Sequence, residues 1–234
     1  MSSNGQYVAG NVQNKAVRFD TSGQTEFLGS LVANQDSFGL GISGDGGTVV
    51  GYGRTDGGDR PFKWTSGTGM VQLPTIGGTV NSGAAIHVSI DSSTIVGWSS
   101  GPLEQQAVYW NQLGLPPIGT LSATDTRSLA LGVSGNRDLI VGWSGTAQQH
   151  RAFIWDQQNG MRNLKKVLIK DFGFAIGGWT FEEATAISAD GMTMTGFGIN
   201  PQGQREAWVA HVPVPGAWPV LALCGLIGSR RRRV

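Results

Sequence analysis

The chain has 234 residues, among them 37 Gly and 9 Pro, and only 14% of its residues are charged. That profile belongs to many short strands joined by tight turns and excludes a helical bundle, a disordered tail and, with a single Cys, any disulfide framework or multi-cysteine zinc site. Residues 1–229 hold 13 basic and 16 acidic side chains, the other four basic residues being terminal arginines, so the body carries no electrostatic footprint for nucleic acid.

In chain order, one pattern recurs: Tyr7-Val-Ala-Gly10, Val49-Val-Gly51-Tyr52, Ile95-Val-Gly97-Trp98, Ile140-Val-Gly142-Trp143 and Met194-Thr-Gly196-Phe197. The glycines are 41, 46, 45 and 54 residues apart. In the last four copies an apolar residue and Ser (Ile42-Ser43, Val88-Ser89, Val133-Ser134, Ile187-Ser188) precede the glycine at fixed spacing. Downstream, Arg60-Pro-Phe-Lys-Trp64, Gln106-Ala-Val-Tyr-Trp110 and Arg151-Ala-Phe-Ile-Trp155 end 13 residues after it, and Arg205-Glu-Ala-Trp208 ends one residue sooner. The runs are short, rich in β-branched and aromatic residues, and bounded by turn clusters such as Gly44-Asp-Gly-Gly47 and Ala189-Asp-Gly191, so they read as strands. Gly69–Leu73 and Gly160–Leu164 supply a third run, and Ser128–Val133 a fourth that leads back to the Ser. Four strands every ~45 residues is the dimension of a propeller blade. The expected fold is all-β: a β-propeller-like repeat of four-stranded blades, about five of them partial or whole, over residues 1–211. The glycine implies a neighbouring backbone or large ring that needs its space.

Two segments depart from the pattern. Leu164, Val167 and Leu168 stand at i, i+3, i+4 in 163–170 and predict a short amphipathic helix inserted in the last full blade. At the N-terminus, Met1 and Ser2 occupy the positions of the apolar residue and Ser, so the first blade is expected to lack its opening strand. The residues before it read as no signal peptide, and a start inside a repeat reads as a truncated frame.

No His-Glu-x-x-His, Gly-x-Ser-x-Gly or P-loop pattern occurs, and no catalytic, cofactor-binding or metal-binding residue is assigned. His87, His150 and His211 fall at different points of the repeat, and His150 reads as a strand-edge residue. Asp45, Asp56 and Asp59 adjoin glycines in turns that suit hairpin chemistry better than a Ca2+ site, which is kept as the weaker alternative. Glu182 and Glu183 are adjacent, so on a regular strand they face opposite sides and cannot pair as acid and base. Trp64, Trp110 and Trp155 share one repeat position with Trp208 close to it, and Tyr52, Trp98, Trp143 and Phe197 share another; periodic rings are expected to pack between blades.

From Val212 to Ser229 runs an uncharged, apolar stretch followed by Arg230, Arg231, Arg232 and Arg233. Apolar length with a basic flank predicts a membrane helix, over 217–229, held on the cytoplasmic side by the arginines. Residues 212–234 therefore read as a separate sorting segment. Val212-Pro213-Val214-Pro215, the apolar run and the arginine cluster resemble the PEP-CTERM sorting signal of Gram-negative bacteria, with Val214 where that family has Glu. The resemblance implies an exosortase-type processing enzyme as partner and transient anchoring in the inner membrane. The body, with Val49-Val50-Gly51, Ile140-Val141-Gly142, Gly119-Thr120-Leu121 and His150-Arg151-Ala152-Phe153-Ile154-Trp155, is similar to the HAF repeat family of extracellular bacterial proteins. It implies export and a propeller-like fold. The function expected from all this is non-catalytic: loops 54–60, 101–106 and 146–150 presented on one face to an extracellular protein or polysaccharide. The alternatives are a propeller enzyme, hydrolase or lyase, on polysaccharide, and a calcium-dependent glycan-binding module.

Overall fold

Each interval of the repeat folds into one antiparallel sheet in the computed structural model, which describes residues 1–77, 81–135 and 138–212. The first sheet has three strands, β1 (Tyr7–Val12), β2 (Lys15–Asp20) and β3 (Thr25–Phe27), and lacks an opening strand as expected. The second holds β4 (Ser37–Ile42), β5 (Thr48–Thr55), β6 (Gly58–Thr65) and β7 (Gly69–Gln72). The third holds β8 (Gly83–Val88), β9 (Ile95–Ser99), β10 (Gln106–Trp110) and β11 (Pro117–Gly119). The fourth holds β12 (Arg127–Val133), β13 (Ile140–Gly145), β14 (His150–Asp156) and β15 (Gly160–Asn163). The last has β16 (Thr180–Ile187), β17 (Thr193–Ile199) and β18 (Arg205–His211).

Side-chain alternation along the second strand of each sheet decides how the sheets stack. The residue before the repeat glycine faces the following sheet, and the residue two before it faces the preceding one. Thus Val50 packs with Ala85, Val88, Ile95, Val108 and Trp110 of the third sheet. Val96 and Ala107 pack with Ala130, Val133, Ile140 and Phe153 of the fourth, and Val141, Ala152 and Ile154 with Ala184, Met194 and Trp208 of the last. Ala16 and Leu28 of the first sheet meet Ile42, Val49, Phe62 and Trp64 in the same way. The first strands β4, β8, β12 and β16 also pack on one another in sequence, which places them on the inner side of the stack. Among the described residues no pair of strands from the first and last sheets packs as consecutive sheets do. Val8 on the first sheet is exposed, whereas Val49, Ile95 and Ile140 at the same position between sheets are buried, and Phe197 and Val209 on the last sheet are exposed as well.

The repeat serine builds the turn between first and second strands. The hydroxyls of Ser43, Ser89 and Ser188 donate to Asp45, Asp91 and Asp190 and accept the backbone N–H of Thr48, Thr94 and Thr193. Ser2 makes the same bond to the N–H of Tyr7, with Asn4 as its acceptor, so the first sheet keeps the turn without the strand. The Ser43 hydroxyl and the Gly47 N–H hold the Asp45 carboxyl below the usual carboxylate range, and the Ser188 hydroxyl and the Met192 N–H do so for Asp190. Their contribution is present above about pH 4 and lost as pH falls through the lowered values.

The recurring glycine has a steric cause. Each first strand carries a β-bulge, between Gly39 and Gly41, Ala85 and His87, Ala130 and Gly132, and Ala184 and Ala186. Just before it, the carbonyl oxygens of Phe38, Ala84, Leu129 and Glu183 lie over Gly51, Gly97, Gly142 and Gly196, nearer than any Cβ could tolerate. Rings of Phe62, Phe153 and Trp208 close three of the four sites from the third strand. At Gly10, where no first strand exists, a Cβ would meet only the Phe19 ring at 3.3 Å.

The inserted helix α1 (Leu164–Phe172) is capped by Asn163, whose side chain accepts the Lys166 N–H, and ends at Gly173 in the left-handed conformation (φ 70°). Leu164, Val167 and Leu168 are its buried residues, the stripe that the sequence predicts. They close the core shared by the fourth and last sheets. Leu168→Ala should cost about 2–5 kcal/mol, read as a lower urea midpoint with an unchanged slope. Val212 belongs to the same core, its N–H donating to the Met192 carbonyl at 2.8 Å. Pro213, Val214, Pro215, the expected membrane helix and Arg230–Arg233 lie outside the described residues. Among the described residues no helix is long and apolar enough to cross a membrane.

Candidate functional site

The connections from second to third strand all leave the same end of their sheets, and there charged side chains converge. In the second sheet Arg54 lies 3.3 Å from Asp36 and 4.0 Å from Asp59, beside stacked Phe38 and Tyr52 rings 4.9 Å apart. Arg127 at the start of β12 reaches back 2.5 Å to Glu104 in the loop of the third sheet. Arg151 pairs with Asp125, a buried carboxylate that also accepts the Ser144 hydroxyl at 2.6 Å. The three loops expected to present ligands, 54–60, 101–106 and 146–150, therefore lie at one end, and loop 101–106 is tied to the next sheet through Glu104 and Arg127. The exposed pairs of Arg54 and Arg127 contribute ~1 kcal/mol or less each, so their effect is on loop position more than on stability.

Between the fourth and last sheets the same end holds a tighter cluster. The His150 ring stacks on Trp143 (centroids 3.9 Å, 12°), and its Nδ1 lies 3.4 Å from Glu183 Oε1. Arg205 reaches both Glu182 (3.3 Å) and Glu183 (3.6 Å) while its guanidinium sits 5.2 Å from the Phe197 ring centroid. The expectation that the two glutamates face opposite sides is corrected here. The strand register shifts between Phe181 and Glu183, so Glu182 is extra in the pairing and both carboxylates reach one guanidinium. His150 does begin its strand, paired with Gly145, as a strand-edge residue.

The acidic turns are committed to their own backbone. Asp45 Oδ1 accepts from Ser43 and the Gly47 N–H. Asp56 and Gly57 form the two-residue turn of the β5–β6 hairpin, with Asp59 beside Arg54. Among the described residues no three His, Cys, Asp or Glu side chains stand close enough together to hold a metal ion.

His87 lies on β8 at a register position that Gly41, Gly132 and Ala186 occupy in the other first strands. Burial lowers its pKa, and its buried Nδ1 has no hydrogen-bond partner. A depressed folded-state value means that the unfolded chain takes up the proton first. Stability is therefore full above about pH 6.5 and falls as pH drops below it, by of order 1 kcal/mol per unit. Denaturant titrations at pH 7.5 and 5.5 should show this loss, and His87→Ala, the residue type at Ala186, should flatten it.

The indole positions divide. Trp64 and Trp110 are each 4% exposed between sheets, paired with Val49 and Ile95. Trp155, paired with Ile140, is only half-buried. Trp208 is not their counterpart: it pairs with Gly196, the register held by Phe62, Val108 and Phe153, and Ala210 stands where the other sheets have Trp. At the end of the sheets opposite the loops, Tyr109 and Trp155 pack together and line a cleft of about 820 Å³ between the third and fourth sheets. Sequence reasoning missed this cleft. The signal was Tyr109 at a register where the first two sheets have Arg18 and Lys63.

No protein-family model matches the chain, and no curated protein matches it. Among solved structures it is similar to TolB from Acinetobacter baumannii, with 11% identity and a TM-score of 0.57 over 89% of this chain and 52% of that one. It is also similar to an oligogalacturonate lyase from Vibrio parahaemolyticus, with 12% identity and a TM-score of 0.50 over 90% of this chain and 64% of that one. The chain thus spans about half of the TolB chain and under two thirds of the lyase. At such identities the likeness is one of fold: an all-β, β-propeller-like protein.

Proposed function

We propose that this is an exported, non-catalytic repeat protein of the cell envelope or extracellular space. Its β-propeller-like body presents the loops 54–60, 101–106 and 146–150 to an extracellular protein or polysaccharide. Residues 212–234 act as an exosortase-type sorting signal at the inner membrane. The observation that carries the reading is the row of ion pairs at one end of the stack, Arg54–Asp36, Arg127–Glu104 and Arg151–Asp125. These pairs hold successive loops in place, and loops on a rigid scaffold are where binding function concentrates. Two experiments test it. The full reading frame carrying an epitope tag should fractionate with envelope or medium, and recovery from the cytosol alone would overturn export. Retention on immobilised envelope polysaccharide or envelope protein should fall about threefold or more in the Arg54→Ala, Arg127→Ala double variant at unchanged Tm; equal retention, or none for the parent, would overturn presentation by this face.

One observation favours a second reading, an enzyme acting on extracellular polysaccharide. His150 beside Glu183, with Glu182 on the same guanidinium, is an arrangement from which a proton could be moved. One structural neighbour is named an oligogalacturonate lyase. Release of new reducing ends or unsaturated products from a polysaccharide, abolished by both His150→Ala and Glu183→Gln, would establish that reading over the first.

A further inference from the structure

We propose that the cleft between the third and fourth sheets binds a short neutral oligosaccharide, at the opposite end of the sheets from the presenting loops and independently of them. The argument starts from a break in the repeat. The third-strand residue that faces the next sheet's indole is Arg18, Lys63 and Tyr109 in the first three sheets. In the first, the Arg18 guanidinium covers the Trp64 ring at 4.9 Å while bonded to Glu26 and the Gly46 carbonyl, and the indole is closed off. In the third, Tyr109 meets Trp155 at 5.2 Å and a 46° tilt, so the two rings form an angled wall and leave Trp155 half-buried. Among the described residues neither the Tyr109 hydroxyl nor the Trp155 indole N–H has a hydrogen-bond partner, whereas the Trp110 indole donates to the Pro74 carbonyl at 2.8 Å.

The rest of the cleft supplies polar groups that the fold itself does not use. Its rims are the turns at 111–113 and 156–159 and the start of the second strands. Gln112, Gln157 and Gln158 are exposed there and make no side-chain hydrogen bond among the described residues. Planar amides both donate and accept, which suits vicinal hydroxyls, and aromatic faces suit the C–H faces of a sugar ring. The volume falls within the ~300–1,000 Å³ of small-molecule sites.

Charge narrows the class. Among the described lining residues there is no Lys or Arg, and the ionisable groups besides Tyr109 are Asp138 and Asp156. Burial pushes the Asp156 carboxyl up, but the Asn159 N–H and amide and the Arg162 guanidinium outweigh it and keep the group lowered and ionised. A phosphorylated or uronate ligand would lose its solvation here with no cation among the described lining residues to replace it, since the Arg162 guanidinium is engaged by Asp156 and Asp171. A neutral sugar meets none of that cost.

The test is isothermal titration of the whole chain with cellotetraose, maltotetraose, galactotetraose and mannotetraose, and with tetragalacturonate as the acidic counterpart. At least one neutral tetraose should bind at millimolar affinity or tighter. Trp155→Ala should weaken it about tenfold or more, and Gln158→Ala, at an exposed position, about threefold. Arg54→Ala on the loop face should leave it unchanged, which separates this site from the loops. Should Trp155→Ala alter the fold, the exposed Gln112→Ala, Gln158→Ala pair carries the test, with a tenfold loss expected. No binding by any neutral tetraose, preference for tetragalacturonate, or binding untouched by the cleft variants would overturn the proposal.

Discussion

Gly142→Ala should be among the most damaging single substitutions in the chain, and Gly10→Ala among the mildest at the same repeat position. A Cβ on Gly142 overlaps the Leu129 carbonyl and approaches the Phe153 ring at 2.9 Å. The carbonyl belongs to backbone fixed on one side by pairing with β13 and on the other by the bulge before Gly132. It cannot rotate away as a side chain would, so relief requires breaking the pairing of β12 with β13. Overpacking a well-packed core costs ~1–3 kcal/mol where side chains can shift, and this site has backbone instead. A loss of about 3 kcal/mol or more is expected, a fall in Tm of roughly 6–12 °C for a chain of this size. At Gly10 the nearest atom is a ring carbon at 3.3 Å, with no strand above it. Its substitution should shift Tm by no more than about 2–4 °C. Equal effects at the two positions would show that the carbonyl is not the cause.

The second large effect separates indoles that the repeat places at one position. Trp110→Ala removes a ring 4% exposed, packed among Val50, Ala85, Val88 and Ile95, and with it the bond to the Pro74 carbonyl. Truncating a buried Trp costs ~3–5 kcal/mol. Trp155→Ala removes a ring that already meets solvent on its cleft face, and should cost half as much by the lost area alone, about 1.5–2.5 kcal/mol. Urea unfolding of the two variants measures the difference directly. Trp208→Ala should behave like Trp110→Ala, because that ring is 2% exposed and stacks on Phe181 at 4.4 Å.

The sheets were legible in the sequence because two spacings repeat, and each has a local cause: the Ser turn fixes one and the paired third strand the other. The helix was legible because its buried stripe of Leu164, Val167 and Leu168 breaks the strand period. Counting from the glycine misplaced Trp208, because it assumes hairpins of equal length. Gly51, Gly97 and Gly142 pair with residues 11 positions on, and Gly196 with one 12 positions on. The extra residue in the last hairpin and the earlier place of Trp208 together move it two pairs along, from the Met194 position to Gly196, and so keep it on the same face. Alternation failed at Glu182 and Glu183 for the related reason that a bulge adds a residue to one strand only. The Tyr109–Trp155 cleft joins residues from two sheets, and only the stacking order puts them opposite each other. Ser37 and Ser128 were also missed. They accept the N–H of Ala16 and Ala107 in the preceding sheet and donate to the Gly29 and Gly119 carbonyls, which marks serine as a bridge between sheets as well as a turn former.

The stacking of successive sheets is the claim on which both the presenting face and the cleft rest, and nuclear Overhauser contacts from the indole protons test it most directly. The Trp64 ring should show contacts to Arg18 of the first sheet, the Trp155 ring to Tyr109 of the third, and the Trp208 ring to Phe181 within its own. Contacts from Trp64 to protons of the fourth or last sheet, or the absence of a Tyr109–Trp155 contact, would contradict the stacking.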